Sequence, residues 1–127
     1  MYTCEIVASS REFTGRERIR IKDKGNAKKL DALTAEGSIF IQVIDWAILR
    51  IENDQSNDKV YTNYILLDTD GSKYVTGSES FWSSFKSVFD ELEAEIDREN
   101  NVGIPFEVYQ LPSKKREGKT FLSCSLS

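Results

Sequence analysis

The chain has 127 residues, 39% hydrophobic and 30% charged, with a formal net charge of −4. That length supports one domain with a single core and no need of metal or disulfide staples. Two cysteines far apart in sequence, Cys4 and Cys124, and no histidine exclude the common zinc patterns and any histidine-based triad or general base.

The charge is segregated. Asp90, Glu91, Glu93, Glu95, Asp97 and Glu99 are balanced locally by Arg98 alone. Residues 1–30 hold Arg11, Arg16, Arg18, Arg20, Lys22, Lys24, Lys28 and Lys29 against four acids, and residues 112–121 hold Lys114, Lys115, Arg116 and Lys119 against Glu117. Net acidity argues against a polyanion partner. Screening limits the acidic stretch to about 8–10 Å at ordinary salt, so a single basic face stays open to one. The longest apolar run is interrupted by Gln42, Asp45 and Arg50, so no segment is expected to span a membrane. The first residues, Met1-Tyr2-Thr3-Cys4-Glu5, lack the basic and apolar regions of a signal peptide, and the expected location is a cytoplasm.

In chain order, residues 2–9 read as a strand and residues 9–15 as a loop closing at Gly15. Arg16-Glu17-Arg18-Ile19-Arg20-Ile21-Lys22 alternates basic with apolar and predicts a strand with a cationic outer face. A solvated edge strand, charged against aggregation, accounts for the same pattern. Residues 26–33 predict a helical turn capped by Asn26, with Leu30 and Leu33 on its apolar side.

Residues 37–77 predict a three-stranded antiparallel meander. Its first strand runs from Ser38 to Ile51, and a polar loop, Glu52 to Asp58, follows. The second strand is Val60 to Leu67. Asp68-Thr69-Asp70-Gly71 then turns the chain into Lys73-Tyr74-Val75-Thr76, because Gly takes a positive φ without a Cβ clash. In the first strand Ile39, Ile41, Val43, Ala47, Leu49 and Ile51 read as the core side, with Asp45 the exception. Gln42, Trp46 and Arg50 read as the outer side.

Ser78 or Ser80 caps a helix over about residues 80–97. Phe81, Phe85, Val88, Phe89, Leu92 and Ile96 recur on one face of it, with Trp82 beside them. Residues 100–103 break the helix. A strand from Ile104 to Leu111 places Ile104, Phe106 and Val108 opposite Glu107 and Tyr109. A basic hairpin loop leads to a last strand with Leu122, Cys124 and Leu126 on one face. Cys124 reads as a small core residue and Cys4 as a buried free thiol.

The order from Gly37 is strand, strand, strand, helix, strand, strand. This is the order of an OB-fold, a five-stranded β-β-β-α-β-β barrel. The expectation is a mainly β protein, a single OB-fold domain over residues 1–127. Residues 1–36 would form an added N-terminal β-ribbon and short helical turn, and residues 37–127 the barrel. The two ligand loops of such a barrel would be residues 52–58 and 112–119.

Catalysis finds little support. The sequence has no Walker A, G-x-G-x-x-G or G-x-S-x-G pattern, so no enzyme and no cofactor is expected. Asp68 and Asp70 suit a metal ion, but turn geometry alone explains Asp-x-Asp-Gly. Binding finds more. Single-stranded nucleic acid needs flat rings for its bases and cations for its phosphates. Trp46, Tyr61, Tyr74, Tyr109 and Phe121 fall on outer faces in this reading. Arg50, Lys73, Lys114, Lys115, Arg116 and Lys119 supply a basic track. Tyr61 and Tyr64 lie on opposite faces; Tyr61, beside polar Asn63, is the preferred one. Any one of these aromatics alone is more often packing than platform. The set, next to Lys114-Lys115-Arg116, favours a platform.

The chain resembles the small single-stranded DNA-binding proteins of tailed phages, particularly those with protein-primed replication in Gram-positive hosts. The similar features are Gly37-Ser38-Ile39-Phe40-Ile41 and Asp70-Gly71-Ser72-Lys73-Tyr74, followed by the amphipathic helix. Phe106-Glu107-Val108-Tyr109, a basic loop closing at Gly118-Lys119, and Thr120-Phe121-Leu122-Ser123 complete the likeness. The resemblance implies sequence-independent coating of single-stranded DNA in phage replication, in the host cytoplasm, with Tyr74 the aromatic carried over. The implied partners are single-stranded DNA, with RNA not distinguished from it, and phage replication proteins. The acidic C-terminal tail of many bacterial relatives has no counterpart. The rival readings are a protein-interaction module on an OB-fold and, third, a metal-dependent nuclease using Asp68.

Overall fold

The computed structural model describes residues 2–55 and 59–127. Strand outweighs helix, 46% to 25%, and the strands form one curled, half-barrel mixed sheet. The elements are β1 (Tyr2–Ser9), α1 (Gly15–Lys22), β2 (Lys28–Lys29), α2 (Leu30–Leu33), β3 (Ile39–Asn53), β4 (Val60–Asp68), β5 (Lys73–Thr76), α3 (Glu79–Leu92), β6 (Ile104–Pro112) and β7 (Thr120–Leu126). The sheet order is β2-β5-β4-β3-β6-β7, with β1 also on β3. All pairings are antiparallel except β2 with β5. Among the described residues no helix is long and apolar enough to cross a membrane.

The expected meander forms, as does the final hairpin. The Asp68–Ser72 turn closes with Asp68 N–H donating to the Ser72 carbonyl at 2.9 Å, and Gly71 takes φ 88°. Residues 56–58 of the expected 52–58 loop lie outside the described residues.

Strand β3 is long enough to serve both halves of the sheet. Its first residues pair with β6, Ile39 opposite Val108 to Val43 opposite Ile104. Its later residues pair with β1, Ala47 opposite Ser9 to Asn53 opposite Tyr2. On the other edge β4 runs along it, with a register shift between Val43 and Asp45 that leaves Ile44 as an extra residue. Such a bulge reverses the facing of everything beyond it. Ile41, Val43, Trp46 and Ile48 therefore share one face. Ala47, Leu49 and Ile51 share the other.

Both faces are covered along β4 and the later part of β3. In the first core, α3 presents Phe81, Phe85 and Phe89, all fully buried, to Ile41, Val43, Leu66, Phe106, Val108, Leu122 and Cys124. Their spacing places them on one side of the helix. Burying each phenyl ring stabilises the fold by about 1.5–3 kcal/mol. Ser78 caps α3, accepting from Phe81 N–H at 3.2 Å. In the second core Phe13 and Ile21 pack on Ala47, Leu49, Ile51 and Ile65.

The N-terminal ribbon is not formed. Residues 16–22 lie in a helix, and β1 pairs with β3 instead. The signal that prevails over the alternation is a capping box. Glu17 N–H donates to Thr14 Oγ1 at 3.2 Å, and Thr14 N–H donates to Glu17 Oε1 at 2.9 Å. Nor does Asn26 cap the next helix. It ends a 3₁₀ turn, and α2 starts after Lys29 without a side-chain cap. Leu30 is buried as expected, whereas Leu33 is exposed.

After α3, a 3₁₀ turn (Glu93–Glu95) leads to a tight reversal in which Asp97 bridges Val102 and Asn101 adopts φ 57°. Gly103 then passes so close to β3 that a Cβ on it would lie 2.6 Å from the Val43 carbonyl oxygen. This close approach lets β6 enter the sheet.

Candidate nucleic-acid interface

The Asp-x-Asp-Gly turn uses its carboxylates internally. Asp68 accepts from Gln42 N–H at 2.8 Å and Asp70 N–H at 3.0 Å, and Asp70 accepts from Ser72 N–H at 2.7 Å. The Ser72 donation is the main reason the Asp70 carboxyl titrates below its usual range. No group of three or more metal-ligating side chains occurs among the described residues.

The expected platform divides. Tyr74 and Trp46 do not face outward: they are 8% and 7% exposed and belong to the first core. Burial pushes the Tyr74 hydroxyl pKa up. Trp46 meets Trp82 edge-to-face at 5.1 Å, Tyr64 stacks on Trp82 at 4.7 Å, and Lys86 Nζ lies 4.7 Å from the centre of the Trp46 ring. This aromatic cluster closes the end of the core under α3. Tyr61 does lie on the face opposite Tyr64, but that face is the second core, where Tyr61 is half-buried.

Two of the expected cations are committed elsewhere. Arg50 pairs with Glu52 at 2.6 Å and with Glu5 at 3.8 Å. Lys73 Nζ donates to the carbonyls of Arg20 and Asp23, fastening the end of α1 to β5. Burial lowers the Lys73 pKa.

The remaining residues come together. Register places Glu107 opposite Phe40, Tyr109 opposite Ser123, and Leu111 opposite Phe121, all on the outer face of β3, β6 and β7. Phe40 is 68% exposed, and Leu111 and Phe121 are 39% exposed each. Glu107 lies on this face, and Asp68 and Asp70 line a hollow beside Phe40. At its end the β6–β7 loop carries Lys114, Lys115, Arg116 and Lys119, all exposed, and none joins an ion pair among the described residues. A groove of about 650 Å³ runs between them, lined by Leu111, Pro112, Ser113, Lys114, Lys115, Phe121 and Ser80 of α3. The acidic residues at the far end of α3 lie about 20 Å away along a 14-residue helix, beyond the screening length. Phe40 and Leu111 were not among the candidate residues. Phe40 sits on the even side of its strand, two positions before Gln42, and Leu111 follows Glu107 and Tyr109 at period two, so alternation alone could have marked both.

One buried charge braces the architecture. Asp45, 3% exposed, accepts from Ser10 Oγ at 2.8 Å, Arg11 Nε at 3.0 Å and Arg98 Nη2 at 2.7 Å. Arg11 also pairs with Glu17 at 2.5 Å. That pairing is the main reason the Glu17 carboxyl is held at about 2 rather than 4.5. A carboxyl depressed in the folded state contributes stability that is fully present above its unfolded pKa and fades as pH falls toward its folded one. The window here is therefore 4.5 down to about 2. Glu17→Gln is expected to flatten the dependence of the urea midpoint on pH within that window relative to the native chain. Asp70 and Asp97 are lowered too, so the readout is the difference between the two proteins. Identical slopes would remove Glu17 from the acid response. Burial pushes the Cys124 thiol up to about 12, which leaves it an inert core group.

Comparison with protein families, with curated proteins and with solved structures gives no match.

Proposed function

We propose that the protein binds single-stranded DNA without sequence preference and without catalysis, on a barrel of OB type. The observation that carries the reading is the outer face of β3, β6 and β7. It carries Phe40, Tyr109, Leu111 and Phe121, with Leu111 and Phe121 beside the loop that holds four exposed cations. Rings of this kind stack any base, and the loop supplies phosphate contacts where the strand would leave the sheet. The pairing of β3 with β4 and β6, of β4 with β5, and of β6 with β7 follows OB connectivity. Among the described residues β5 and β7 are not paired. The setting inferred from the resemblance is phage DNA replication in a host cytoplasm, with phage replication proteins as further partners.

Anisotropy of labelled oligo-dT at low salt tests the reading. The native protein is expected to bind, with affinity falling as salt rises. The triple variant Lys114→Ala, Lys115→Ala, Arg116→Ala should lower the salt slope by about 2, at about 0.7 per lost phosphate contact. Absence of binding at low salt would refute the proposal. A protein-interaction surface is the second reading. Phe40 at 68% exposure with Glu107 opposite it favours that one.

A further inference from the structure

The face of β4 and β5 that carries Tyr61, Ile65 and Val75 is roofed by α1 and Phe13. The roof is itself cationic. Arg16, Arg18, Arg20 and Lys22 are all exposed, and Glu17 is the acid within the helix, already paired to Arg11. Ile19 stands 71% exposed among them.

This surface is linked to the strands flanking the β6–β7 loop indirectly, through β5 and α2. Thr120 Oγ1 donates to Gln110 Oε1 at 2.6 Å, and Gln110 Nε2 donates to the Asp31 carbonyl of α2 at 2.9 Å. Lys29 precedes α2 and is exposed. Lys28 Nζ reaches Ser72 Oγ at 3.2 Å, and Lys73 fastens the end of α1. Between α1 and this turn lies a groove of about 570 Å³. Phe13, Ile21 and Leu67 form its apolar floor, and Arg20 and Lys28 stand at its rim. Asp23 and Asp70 line it as well, and Glu12 and Asp31 lie nearby in the chain.

We propose that α1 and β2 form a second phosphate-contacting surface, along which a single strand held on the β3–β6–β7 face continues. This rests on the single-stranded DNA reading. An apolar floor between cations suits a base with its phosphates. The charge of the helix suits a polyanion: Glu17 is paired to Arg11, and Asp23 and Asp70 face the more numerous exposed cations Arg16, Arg18, Arg20, Lys22, Lys28 and Lys29.

The test uses two oligo-dT lengths, about 5 and about 16 nucleotides, the two ends of the usual site-size range. The variant is Arg16→Gln, Arg20→Gln, Lys22→Gln in the full chain, with far-UV circular dichroism to verify folding. Glutamine keeps the helix propensity. The variant is expected to lose about 10- to 100-fold in affinity for the long oligomer at about 0.1 M salt, and less than about 2-fold for the short one. Lys29→Gln alone, outside the helix, should lose about 5-fold for the long oligomer only. Equal losses at both lengths, or none at either, would overturn the second surface while leaving the first intact. No binding of either length by the native protein would overturn both. Unchanged DNA affinity with lost binding to vesicles of anionic phospholipid would reassign α1 to a membrane surface, which also overturns the proposal.

Discussion

Asp45→Ala is expected to cost about 3 kcal/mol of folding stability, read as a lowered urea midpoint with unchanged slope. The carboxylate accepts from three side chains that come from separate segments: Ser10 and Arg11 before α1, and Arg98 after α3. Removing it leaves two guanidinium groups facing each other across an apolar bulge. The figure lies at the low end for a broken buried pair because Arg11 and Arg98 are 32% and 38% exposed and regain some water. Asp45→Asn keeps the shape and part of the hydrogen bonding, so it should lose less. A loss below about 1 kcal/mol for the alanine variant would mean that the network is dispensable.

The double substitution Tyr109→Ala, Phe121→Ala is expected to weaken oligo-dT binding by about 2–6 kcal/mol, taking about 1–3 per stacked ring. Both side chains lie on the uncovered face, where truncation removes little core packing. Circular dichroism and the urea midpoint should therefore move little while affinity collapses. Trp46→Ala and Tyr74→Ala make the contrast. Those rings are buried, and loss of binding in these variants should track loss of folding. If the double variant binds as the native protein does, the platform is not on this face.

The helix α3 was legible because Phe81, Phe85 and Phe89 repeat at one period and a serine precedes them. The final hairpin was legible because Phe106, Val108, Leu122 and Cys124 alternate without interruption. The facing of Trp46 was not. One extra residue, Ile44, shifts the alternation, and nothing in an apolar run marks which residue is extra. Tyr74 failed for a different reason. Its neighbour Val75 packs against the second core while Tyr74 packs against the first, so both sides of β5 are inward. Period-two reasoning tells one face from the other, and only the position of the covering element tells which is wet. That element was misread. Alternation over residues 16–22 suggested a strand, while Thr14 and Glu17 three residues apart held the opposite information. Among the described residues no element covers the outer β6–β7 face, and there the candidates Tyr109 and Phe121 lie together with the basic loop.

The dual use of β3 also governs how the chain must assemble. The meander and the final hairpin are joined by short turns and can form from neighbouring residues. The pairs that unite them are remote: Ile6 with Leu49, and Ile41 with Phe106. Most of the entropy of closing these long loops is spent before either core is complete, which places the protein among slow, topology-limited folders. A single strand is thus the common seam of two otherwise local units, and until both of its ends are claimed its apolar edge is the part of the molecule most open to pairing with another chain.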